Sequence, residues 1–194
     1  MRFAFASLSF AAVAVAVAAG AFTGVDQWAV DHLMPGAHFN GKASLLDALV
    51  PLAGTHWDSA WSVAAAVVAV PASFFIALAL VTWRSPLLGA LVVAGTAVET
   101  LCKHVLERPT LHDGAMRIGS FDHSFPSGHA FRVVLVAAAF RSRTSTAWAV
   151  AAIALIQLSG WHTPSDLLGG VLLALLGLLG ARRLRGRRLL RRRA

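Results

Sequence analysis

Six stretches of this chain, at 3–24, 60–82, 86–106, 127–140, 146–161 and 165–181, are apolar almost without interruption. A hydrocarbon core about 30 Å thick takes about 20 helical residues, and shorter runs serve where a helix stops at a buried site. Inside lipid the backbone must satisfy its own hydrogen bonds, which leaves helices or a closed barrel. No period-2 alternation supports a barrel. The predicted fold is therefore all-α: a polytopic membrane helical bundle of about six transmembrane helices, forming a single domain over 1–181. The composition agrees, being 57% hydrophobic and 13% charged, against about 25% charged in a soluble domain. Cys102 is the sole cysteine, so an internal disulfide is impossible.

The charges predict an orientation. The net charge is +8, and eight of the fifteen arginines lie in 182–193, directly after the last apolar run. A basic segment in that position reads as a cytoplasmic membrane anchor rather than a nucleic-acid surface. Arg2, Arg84, the Arg141/Arg143 pair and the tail at 182–194 all fall on one side if both termini are cytoplasmic. The outer segments are then 25–59, 107–126 and 162–164. The first of these carries Asp26, Asp31, Asp47 and Asp58 against a single Lys42. Residues 25–33 and 45–52 read as short interfacial helices separated at Pro35-Gly36. A cleaved signal peptide over 1–20 is the alternative to a retained first helix; the length of the apolar run favours retention. Trp28, Trp57, Trp61 and Trp161 are expected in an outer aromatic belt and Trp83 in an inner one.

In so apolar a chain the polar exceptions carry the chemistry, because ionisable groups within spans are costly and functional by default. Three clusters share the outer level. Glu99, Lys103, His104, Glu107 and Arg108 end the third stretch; Lys103 and Arg108 suit phosphate oxygens, or else snorkel to headgroups. Pro126-Ser127-Gly128-His129 opens the fourth. It is a helix start with a capping serine, free N–H groups for an anion, and an imidazole one residue inside. Trp161-His162-Thr163-Pro164-Ser165-Asp166 opens the sixth. It is a plausible cap in which Asp166 can also fix the tautomer of His162 and leave its other nitrogen nucleophilic. Together these groups suit phosphoryl transfer through a covalent histidine.

Lys103-x4-Arg108-Pro109, Pro126-Ser127-Gly128-His129 and His162-x3-Asp166 resemble, in order and interval, the three signature motifs of the type 2 phosphatidic acid phosphatase (PAP2) superfamily. The resemblance covers about 85–181, with the motifs within 99–170. It implies a metal-independent phosphoric monoester or diphosphate hydrolase without cofactor, acting on a lipid phosphate such as phosphatidate, phosphatidylglycerol phosphate or a polyprenyl diphosphate. His162 would be the nucleophile, Asp166 its orienting acid and His129 the proton donor to the leaving group. Lys103, Ser127 and the Gly128 backbone would bind phosphoryl oxygens. The setting implied is a bacterial cell membrane, with the site extracytoplasmic and with membrane lipids, not nucleic acid, as partners.

The chain departs from the family pattern at two places. Thr110 stands where the first motif carries its arginine, and Leu155-Ile156 replaces the Ser-Arg of the third. A subgroup of actinobacterial PAP2-like proteins is similar in having a lone Arg-Pro and a Gly-Trp-His-x-Pro-Ser-Asp stretch. Arg132, three residues after His129, shares roughly the same helix face. It is expected to pair with Glu99 beneath the site, either presenting one guanidinium edge to phosphate or serving as an ion pair alone. Arg117 is a second such residue. The alternative function is a PAP2-fold protein that binds or transports a phospholipid without hydrolysing it. His32, His38, His56, His104, His112 and His123 lack metal-ligand spacing, and no metal site is expected. Cys102 reads as a packed residue.

Overall fold

The computed structural model describes residues 2–34 and 60–191 and is almost wholly helical. The helices are α1 (Arg2–Ala18), α2 (Thr23–Leu33), α3 (Ala60–Ala69), α4 (Phe74–Arg84), α5 (Pro86–Val105), α6 (Gly128–Phe140), α7 (Arg143–Leu158) and α8 (Pro164–Arg191). A two-residue hairpin, His112–Asp113 with Met116–Arg117, lies between α5 and α6. The expected break at Pro35-Gly36 and helix at 45–52 lie outside the described residues, as do His38, Lys42, Asp47, His56, Trp57 and Asp58.

Three helical segments, Val63–Arg84, Pro86–Val105 and Pro164–Leu184, are long and apolar enough to cross a membrane, or four if α1 and α2 together make one broken span. By these helices the chain is a membrane protein. The first apolar stretch is not the continuous helix expected over 3–24: α1 and α2 meet at 77°. The cause is a Schellman turn, in which Ala21 N–H donates to Ala16 O and Gly20 N–H to Val17 O. Gly20 takes the left-handed conformation this turn requires, with φ +79°.

A second break falls between α3 and α4. Pro71 has no N–H to donate, and residues Val70–Ala72 tighten into a 3-10 turn. Two carbonyls near this break are taken by side chains from elsewhere. Trp148 Nε1 donates to Val68 O at 3.0 Å, and Arg132 Nε donates to Ala72 O at 2.8 Å. A broken helix within an apolar bundle depends on such substitutes.

Helix α6 is only 13 residues long, about 20 Å. It sits at the centre of the bundle. Phe131 and Leu135 pack with Val81, Val92 and Leu173, while Ala130 and Val133 pack with Ala72, Ile156 and Leu167 on the other side. The polar clusters lie at its N-terminal end. At the far end Arg84 stands over the Phe140 ring and Arg183 over the Phe3 ring. Arg84 and Arg183 thus lie away from the polar clusters. Helix α8 runs on into the arginine run as far as Arg191.

Candidate functional site

The second cluster begins at a helix cap. Ser127, fully buried, accepts the Ala130 N–H at 3.2 Å, so the expected N-cap is present. Its own N–H donates to Asp166 O at 2.9 Å, joining the start of α6 to the start of α8. The two helices meet closely there: a Cβ on Gly170 would stand 2.3 Å from Ser127 O.

The third cluster is a cap and a site at once. Asp166 Oδ2 accepts the Thr163 N–H at 3.1 Å, and Thr163 Oγ1 lies 3.4 Å from Asp166 N, the reciprocal pattern of a capping box. Ser124 Oγ donates to the same Oδ2 at 2.6 Å. The Asp166 carboxylate is wholly buried, and His162 Nδ1 faces its Oδ2 at 3.6 Å. This exceeds hydrogen-bond length, and Nδ1 has no other partner among the described residues. With Nδ1 turned to the acid, Nε2 is the nitrogen left for chemistry.

His129, half-buried, and His162, buried, are brought together from two helix starts. Their ring centroids are 6.1 Å apart and inclined at 53°. Trp161 flanks His129 at 5.5 Å. The two imidazoles therefore lie side by side although their positions are 33 residues apart in the chain.

The expected Arg132–Glu99 pair is present: Arg132 Nη1 donates to Glu99 Oε2 at 3.0 Å, with both side chains buried. Glu99 Oε1 accepts from Lys103 Nζ at 2.8 Å, and the Lys103 side chain is 27% exposed. The carboxylate of Glu99 packs directly on the Gly128 backbone, where a Cβ would lie 2.0 Å from Oε1. Lys103, Glu99 and Arg132 thus form a charge ladder running from the pocket edge down to the break at Ala72.

Arg108 is placed differently from the expectation that it holds phosphate. Its Nη1 donates to Thr163 Oγ1 at 2.9 Å and contacts Asp166 Oδ1 at 3.3 Å. Its Nη2 is bonded to Asp26 Oδ2. The reason is electrostatic: two fully buried carboxylates flank the guanidinium and neither can be left unpaired in an apolar interior. Asp26, on the first turn of α2, also accepts the Ser165 N–H at 3.0 Å and Ser165 Oγ at 2.6 Å. Sequence reasoning placed Asp26 merely among outer acids. Its one signal is position, an acid immediately beyond the first apolar run.

The buried charges fall into two clusters. In one buried cluster Lys103 and Arg132 outnumber Glu99; in the other, beside His162, Asp26 and Asp166 outnumber Arg108. Arg117 is exposed and paired with Asp122 in the segment between α5 and α6. His104 bonds the Thr100 carbonyl on its own helix and His32 the Trp28 carbonyl. Among the described residues no group of three or more His, Cys, Asp or Glu could hold a metal ion. No family model, curated protein or solved structure matches the chain.

Proposed function

We propose that this chain is an integral membrane lipid phosphatase of the PAP2 type, hydrolysing a phosphomonoester or diphosphate of a lipid through a phosphohistidine. The observation that carries the reading is the convergence of His129 and His162, ring centroids 6.1 Å apart, with the Asp166 carboxylate behind His162 Nδ1. His162 Nε2 attacks phosphorus, and the bond from phosphorus to the lipid oxygen breaks. The departing oxygen takes a proton from His129. Water then attacks the phosphohistidine and gives a proton to His129. The phosphorus–nitrogen bond breaks, releasing inorganic phosphate and free imidazole.

The division of charge supports these roles. The anionic side, Asp166 backed by Asp26, favours the positive imidazole that forms when His162 bonds to phosphorus. The cationic side, led by the partly exposed Lys103, suits the phosphoryl oxygens. Ser127 and Gly128 contribute the helix start against which those oxygens rest, and Arg132 steadies it through Glu99. Arg108 serves as a positioning residue for Asp166.

The membrane arrangement belongs to the same reading. We take α6 and α7 as crossing with the longer helices to give about six spans in a bacterial cell membrane, both termini cytoplasmic and the site extracytoplasmic. The basic turns opposite the polar end agree with that orientation.

One observation favours a second reading, a PAP2-fold protein that binds or moves a phospholipid without cleaving it: the guanidinium of Arg108 is occupied by two carboxylates. A panel of lipid phosphates offered to the purified protein separates the two. Release of inorganic phosphate that His162→Ala abolishes supports the phosphatase. Silence across the panel, with retained phospholipid binding, overturns it.

A further inference from the structure

Asp26 lies far outside the three motifs, 139 residues from Ser165 in sequence, yet it is wholly buried against the site. Resting on the phosphatase reading, we infer that Asp26 is a positioning residue for the His162–Asp166 pair, acting through Arg108 and the first turn of α8.

Arg108 bridges the two acids with its terminal nitrogens, Nη2 on Asp26 and Nη1 on Asp166 Oδ1. Its buried Nε has no partner among the described residues, so the guanidinium is oriented by these outer contacts. While Asp26 retains Nη2, Arg108 meets Asp166 with one nitrogen and on one oxygen. Asp166 Oδ2 is then left to Ser124, the Thr163 N–H and His162. Without the Asp26 charge, Arg108 is free to take Asp166 in a forked, two-bond pair, the geometry guanidinium prefers. Such a pair draws Oδ2 away from His162. The same substitution removes the charge that leaves this side of the pocket net negative. Asp26 also holds the α8 start directly, accepting both the N–H and the Oγ of Ser165, next to Asp166. One side chain on α2 thus sets the position and the charge of the acid behind the nucleophile without touching substrate.

Asp26→Asn keeps the size and one acceptor oxygen, for the Ser165 N–H, but removes the charge. In the purified full-length protein, kcat for phosphate release should fall about tenfold or more while KM stays within about twofold. In the Asp26→Asn/Asp166→Asn double variant kcat should be no lower than in Asp166→Asn alone, since both act through one carboxylate. A signal independent of turnover accompanies this: the 15N resonances of His162, assigned by their loss in His162→Gln, should shift in Asp26→Asn as they do in Asp166→Asn. Unmoved His162 resonances in Asp26→Asn, or fully additive losses in the double variant, overturn the inference. A wild type that releases no phosphate from any lipid tested sinks the phosphatase reading, and the resonances then decide the role of Asp26 alone. If Asp26→Asn does not accumulate folded, Ser165→Ala carries the test. It removes one donor to Asp26 and no charge, and is expected to lower kcat about threefold at constant KM. No change in kcat or in the His162 resonances there counts against the inference.

Discussion

Glu99 and Gly128 claim the same point in the bundle: any side chain on Gly128 would begin 2.0 Å from Glu99 Oε1. Only a glycine lets the charge ladder of Lys103, Glu99 and Arg132 reach the start of α6. Gly128→Ala must displace the carboxylate or the helix, and overpacking of this kind costs about 1–3 kcal/mol. The expected result is a lower unfolding temperature in detergent together with reduced phosphate release. An alanine variant equal to wild type in both measurements contradicts the packing described.

Arg132 is bonded to Glu99 and to the free carbonyl of Ala72. Arg132→Ala leaves both acceptors short of a donor, and breaking a buried pair costs about 3–5 kcal/mol. Arg132→Lys restores the charge but cannot bridge both partners, so it should fall between alanine and wild type. Thermal unfolding gives the stability order and phosphate release gives the catalytic one. Full turnover in both variants would remove Arg132 from the site.

Ser124 donates to Asp166 Oδ2 at 2.6 Å. A hydrogen bond to a charged group contributes about 1.5–3 kcal/mol. Ser124→Ala should therefore lower kcat by about tenfold or more, with little change in KM. A variant that instead raises KM at constant kcat would assign Ser124 to substrate binding.

Single-cysteine variants test the sidedness. In a Cys102→Ala background, Arg117→Cys in the exposed hairpin should react with an impermeant maleimide added outside cells. Arg143→Cys, at the exposed start of α7, should react only after the membrane is opened. The reverse pattern inverts the orientation.

Much of the site can be read along the chain because each cluster is local. Ser127 capping α6, Asp166 four residues beyond His162, and Arg132 one turn below His129 all follow from helical spacing. Arg132 meeting Glu99 is a step further, since burial in lipid forces two opposite charges at one depth to find each other. Arg108 and Asp26 escape such reasoning. Phosphate and carboxylate look alike to a guanidinium, and the competing carboxylate comes from a helix whose placement depends on the turn at Gly20. That turn is itself only faintly written in 3–24, where Gly20 is one of two glycines in an apolar run. Similarly Pro71 announces a break in 60–82, but not that Trp148 and Arg132 supply its missing bonds.

The elbow at Gly20 also bears on the order in which the molecule can be assembled. It sets the acid of α2 over a helix start that is synthesised well over a hundred residues later. Until α8 is inserted, Asp26 has neither Ser165 nor the cavity that shelters Arg108, and a lone carboxylate is held in water by its hydration. The two ends of the chain therefore meet at a contact that neither can make alone, Asp26 on the first turn of the last helix.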